Sequence, residues 1–118
     1  MTHYVYVRAG GEVRHPEKHL MVFRDERETT VVTREEHLGD VDVIERNRDL
    51  WQLINLEPPT PFYCVGFLAK VSALLAGEGI DILVVSTFSR DCVLVKVEDG
   101  AKAIALLEGA GFISAVGS

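Results

Sequence analysis

From residue 66 onward the apolar positions fall into clear periods. Between Gly66 and Glu78, Leu68, Val71, Leu74 and Leu75 recur at spacings of three and four, with Lys70, Ser72 and Glu78 off that stripe. That spacing predicts an amphipathic helix, and Gly79 supplies the left-handed residue that ends it. Ile80 to Thr87 (IDILVVST) is rich in β-branched residues, Phe88-Ser89-Arg90-Asp91 is short and polar enough for a hairpin turn, and Cys92 to Val97 is nearly all apolar. The two runs are expected to pair antiparallel. Asp99 stands where it can cap a second helix from Gly100 to Glu108 with the face Ala103, Ile104 and Leu107, and Gly109-Ala110-Gly111 closes that helix before a last strand, Phe112 to Val116.

Upstream, the chain reads as short strands with charged turns: Tyr4 to Arg8, Leu20 to Arg24, Thr29 to Thr33, Val41 to Glu45 and Leu50 to Leu56. These carry the β-branched, aromatic and partly alternating pattern of half-buried strands. Thr33-Arg34-Glu35-Glu36 spells a capping box, with Thr33 as the cap and Glu36 three residues on, and Gly39 and Asp40 limit the helical segment to a turn or two. The clusters Arg24 to Glu28 and Glu45 to Asp49 mix both signs of charge, as solvated turns do. At Glu57-Pro58-Pro59-Thr60-Pro61 the prolines fit neither a central strand nor a helix interior and force an extended link.

With Leu50 to Leu56 as its first strand, the second half has the order β-α-β-β-α-β. Two right-handed crossovers of this kind place both helices on one face of a four-stranded antiparallel sheet, the ferredoxin-like, split-βαβ arrangement. The predicted fold class is therefore α+β: a mostly β first half, residues 1–48, and a ferredoxin-like βαββαβ domain over 49–118.

Composition narrows the function. At 118 residues the chain has room for one ordinary domain or two small ones, and 47% apolar with 25% charged residues is ordinary globular composition. A net charge of −6 with interleaved basic residues argues against nucleic acid as a partner. No apolar run reaches the roughly 20 residues that span a bilayer, and MTHYVYVRAGGEV lacks the order of a signal peptide, so no membrane partner is expected and the cytoplasm is the expected location.

Cys64 and Cys92 lie in apolar runs, as small buried hydrophobes do. His15 and His19 have the i,i+4 spacing that could share a metal, but no cysteine nearby completes a zinc pattern, so solvated histidines and no metal are expected. No Ser-His-Asp or Cys-His arrangement can be assembled without arbitrary choices, so no enzyme and no cofactor is expected.

Three segments carry a family resemblance: Val65-Gly66-Phe67-Leu68-Ala69 before the first helix, Gly79-Ile80-Asp81-Ile82 leading into Val85-Ser86-Thr87-Phe88, and Asp91-Cys92-Val93-Leu94-Val95-Lys96 with Glu98-Asp99. In order and spacing they resemble the ACT-domain family, within it the small amino-acid-sensor-like branch that includes the C-terminal parts of aspartokinase-like regulators and a cytosolic arginine sensor. Glu28-Thr29-Thr30-Val31-Val32 and Trp51 are similar to further features of that branch. Tyr4 to Leu20 lacks its Leu-Pro-Gly start, and Ser89-Arg90 stands where Asp-Thr is usual. The resemblance implies a degenerate ACT-like first half, and an amino acid bound at a domain or subunit interface near the glycine turn.

The residues offer matching chemistry. A glycine turn at a helix start leaves backbone N–H groups free for a carboxylate, which makes Val65, Gly66, Phe67 and Leu68 candidate ligand contacts; alternatively, Gly66 only permits a tight turn. Ser86, Thr87 and Asp91 flank the hairpin and could offer hydroxyls and a carboxylate to a ligand cation; alternatively, Asp91 serves only its own turn. The expected function is a regulatory protein binding an amino acid or similar small metabolite, and the alternative is an oligomerisation scaffold without ligand. Because the apolar run Ile82 to Val85 would form a sheet edge, a homodimer or higher oligomer is expected.

Overall fold

Alternation builds the first strand: in His3–Gly10, Val5, Val7 and Ala9 point to an interior while Arg8 between them is exposed. The computed structural model describes residues 3–57 and 66–113. These divide into two compact units, 1–51 and 52–118.

The first unit holds four strands, β1 (His3–Gly10), β2 (Met21–Arg24), β3 (Thr29–Thr33) and β4 (Asp42–Arg46). β3 lies between β2 and β1, pairing antiparallel with both, and β4 pairs antiparallel with β1 through a register shift at Arg8/Ala9. Val5, Val7, Ala9, Val31 and Val41 form its core, flanked by Val13 and Leu38. The β2–β3 turn is fixed by Asp25, whose carboxylate accepts the N–H groups of Arg27 at 2.8 Å and Glu28 at 2.9 Å. Those two bonds hold its carboxyl below the usual range. Two short 3-10 turns, Pro16–Lys18 and Glu35–Asp40, complete the unit.

The expected capping box is corrected here. Thr33 closes β3 instead, fully buried, and Arg34, the residue before the turn, makes no side-chain cap. The hydroxyl that would have capped it faces His19 Nδ1 at 2.8 Å. Burial in a strand left that oxygen no route to the turn's N–H groups.

The second unit runs from β5 (Trp51–Asn55), whose first residue closes the preceding unit, through α1 (Phe67–Ala76), β6 (Ile82–Ser86) and β7 (Asp91–Lys96) to α2 (Gly100–Gly109). Its described strands lie in the order β5-β7-β6. β6 and β7 pair antiparallel as expected, from Ile82 opposite Val95 to Ser86 opposite Asp91. The two helices pack against each other, and Ile54, Leu56, Phe67, Val71, Leu75, Val93, Val95, Ala103 and Leu107 form the greater part of the core.

Both helix expectations are adjusted in detail. The buried stripe of α1 is Phe67, Val71 and Leu75, at intervals of four, with Leu68 and Leu74 only half-buried beside it. Asp99 precedes α2 but makes no side-chain cap, because the 3-10 turn Val97–Asp99 runs straight into the helix. Its helical backbone (φ −97°, ψ −2°) departs from the extended geometry that a capping side chain needs. The last predicted strand falls mainly outside the described residues. Phe112 accepts a hydrogen bond from the N–H of Glu57 at 2.7 Å and meets Phe67 edge to face, centroids 5.4 Å apart.

Candidate functional site

The predicted ligand contacts fall at two places in the second unit. Gly66 opens α1 in the left-handed conformation, φ +82°, and as the residue before the helix it has no side chain to cap the first turn. A Cβ there would meet nothing within 4 Å among the described residues, and it is φ that calls for glycine. Phe67, in contrast, is buried and Leu68 is half-buried against the core, so these two side chains serve packing. Val65 lies outside the described residues.

Ser86, Thr87 and Asp91 come together at the β6–β7 hairpin. Ser86 Oγ donates to Asp91 Oδ1 at 2.7 Å. Thr87 donates to the carbonyl of Arg90 twice, from its N–H at 2.7 Å and its hydroxyl at 3.2 Å. Thr87 is thus committed to the turn, while Asp91 spends one oxygen on a neighbouring side chain and keeps lone pairs to offer. The carbonyl of Asp91 accepts the N–H of Leu56 at 3.0 Å, so the exit of β5 meets the base of this hairpin. At the tip Phe88 is fully exposed, an aromatic ring at the mouth of the group; its place in a family-like motif gave no sign of such a position.

Other candidates resolve differently. Cys92 is buried and reduced, its Sγ 3.2 Å from Asn55 Oδ1, and burial pushes the thiol up, which makes it a poor nucleophile. Cys64 lies outside the described residues. His19 is not the solvated ring expected, since it turns onto Thr33; no group of three or more His, Cys, Asp or Glu among the described residues could hold a metal. Lys96 pairs with Asp81 at 3.2 Å. No helix is long and apolar enough to cross a membrane among the described residues.

In the first unit an open cleft of about 580 Å³ lies over Ala9 and Thr29, rimmed by charged residues of the β2–β3 turn and by Gly11 and Glu12. None of the predicted contacts among the described residues lines it.

The fold recurs in solved structures. A protein of unknown function from Vibrio cholerae, described as a possible transport protein, superposes with a TM-score of 0.79 at 23% identity, covering 92% of this chain and 84% of that one. A protein from Agrobacterium tumefaciens gives 0.69 at 26% identity, covering 93% and 84%. No curated protein matches the chain by sequence. The family model for the ACT domain matches residues 48–109, more than half of the chain and the stretch that holds β5, both helices and the hairpin. By that match, and with an α+β unit of strands and two helices beneath it, the chain belongs to the ACT domain family.

Proposed function

We propose that this chain is a regulatory, non-catalytic protein of the cytoplasm that binds an amino acid or a similarly small metabolite at a domain or subunit interface. The observation that carries the reading is the ACT-family match over residues 48–109, which suggests regulation by ligand binding. Within that stretch the hairpin supplies the chemistry: Asp91 has carboxylate lone pairs beyond the bond from Ser86, and an amino acid brings an ammonium or guanidinium to meet them. The first turn of α1, which Gly66 enters without a side chain of its own to cap it, is the place for the ligand's carboxylate. The finer assignment is to the aspartokinase- and arginine-sensor-like branch, with a ferredoxin-like βαββαβ domain over 49–118 and a degenerate ACT-like half over 1–48.

A second reading is an oligomerisation scaffold that binds no ligand. It is favoured by one observation: β6 ends the row of described strands, with Val84 46% exposed and Phe88 wholly so.

A thermal-shift screen against the common amino acids separates the two, since a ligand at about 100 times its dissociation constant stabilises by about 2.7 kcal/mol. Asp91→Asn then tests the site. Asparagine keeps an acceptor for Ser86 Oγ, so the unliganded melting temperature should hardly move, while loss of a charge-assisted bond worth about 1.5–3 kcal/mol should weaken binding roughly tenfold or more. Unchanged affinity with a lower melting temperature would make Asp91 a turn residue only. No response to any amino acid would favour the scaffold.

A further inference from the structure

His19 carries a buried polar atom that nothing among the described residues answers. Its Nδ1 lies 2.8 Å from the hydroxyl of fully buried Thr33, and its Nε2 is buried without a hydrogen-bond partner among the described residues. A neutral imidazole has one N–H and one lone pair. With the proton on Nδ1, donated to Thr33 Oγ1, the atom left unanswered is a bare acceptor. A protonated ring would place a second N–H, and a positive charge, where no acceptor receives it, a far costlier arrangement.

The ring sits at a junction. The 3-10 turn Pro16–Lys18 is tied to the turn Glu35–Asp40 by Lys18 Nζ on Asp40 Oδ2 at 3.3 Å, and by His37 Nδ1 donating to the carbonyl of Lys18 at 3.1 Å. His19 ties the same segment to the end of β3, and Leu20 then resumes the ladder by donating to Val32 O at 2.9 Å. Both outer ties lie at exposed positions and are worth little in water. The inward tie is the His19–Thr33 pair.

We propose that His19 is a pH-sensitive pin: neutral, it holds the Pro16–Lys18 turn against the end of β3, and on protonation it lets that segment go. The charged groups that act on it come from both turns. His37 and Lys18 oppose a positive ring, while Asp40 and Glu17 favour one. Asp40 is already engaged by Lys18, and Glu17 lies 3.5 Å from His15. Burial is the largest influence, and it holds the His19 imidazolium below its ordinary range. A lowered folded pKa means that the contribution is fully present above the unfolded value of about 6.5 and is lost as pH falls through the folded one. His37 makes a different bond, its Nδ1–H donating to the Lys18 carbonyl at an exposed position, and serves as the control.

The experiment is a histidine NMR titration combined with amide exchange, compared as protection factors between about pH 7.5 and about pH 5. In the parent protein His19 should titrate below about 6.5, and across that window protection at the amides of Lys18, His19 and Leu20 should fall by up to about tenfold per pH unit while Val7 and Val31 hold. In His19→Asn the amide nitrogen stands near the place of Nδ1, keeps the bond to Thr33 and cannot charge, so the pH dependence should vanish. His37→Asn should retain it. A His19 that titrates at or above the ordinary value overturns the proposal, as does a slope that survives His19→Asn or disappears in His37→Asn. Should His19→Asn fail to fold, the parent's titration and exchange decide alone.

Discussion

Single residues in this protein are decided by what their polar atoms can reach. Thr33 has the right neighbours for a cap and is drawn inward; Asp99 has the right position and the wrong backbone. Gly66 shows the opposite case, where local conformation alone sets the requirement. At φ +82° an L side chain crowds its own backbone, and a Cβ there touches nothing else among the described residues. Gly66→Ala should therefore lose about 1–2 kcal/mol of stability in chemical denaturation, from backbone strain alone. A loss well below that would mean that the turn relaxes out of the left-handed region at no cost.

At the scale of elements, the helices are placed by large side chains more than by their periodic stripes. The spacing of Leu68, Val71, Leu74 and Leu75 marks the right helix with its face turned by part of a turn, because Phe67 fills the core opposite Phe112 and brings Val71 and Leu75 with it. The start of α2 is set by close approach. Gln52 of β5 is buried, and a Cβ on Gly100 would overlap its Oε1. Gly100 has ordinary helical angles, so alanine would normally favour the helix there. We expect the reverse: Gly100→Ala should cost about 1–3 kcal/mol through overpacking. Gln52→Ala should remove most of that penalty in a double-mutant cycle, and additive losses would show that the two do not collide.

For the whole molecule, the reading as a regulator rests on family membership and the hairpin, and assembly is its least local consequence. If β6 is the edge through which copies meet, Val84 and Phe88 become covered on association. Light scattering at micromolar protein should then give a dimer or larger, and Val84→Lys, a charge on that edge, should return it to monomer. A parent protein that is already monomeric would remove the interface and weaken the scaffold reading with it.

The strands β1 to β7 and both helices are legible in the sequence, because periods of two and near 3.6 report which faces are buried before any partner is known. β3 is located to the residue, and the hairpin with Asp91 at its base can be read from turn chemistry. Gly79, read as the left-handed end of α1, has φ +71°. What the sequence could not supply is the particular contact that each of these side chains makes. Ser86 with Asp91, Gln52 against Gly100, and His19 turned from solvent onto Thr33 each depend on which strand lies beside which. Periodicity says that a side chain points inward; only the folded chain determines what it meets there, and for a buried polar atom that meeting decides its hydrogen bond, its charge and its use.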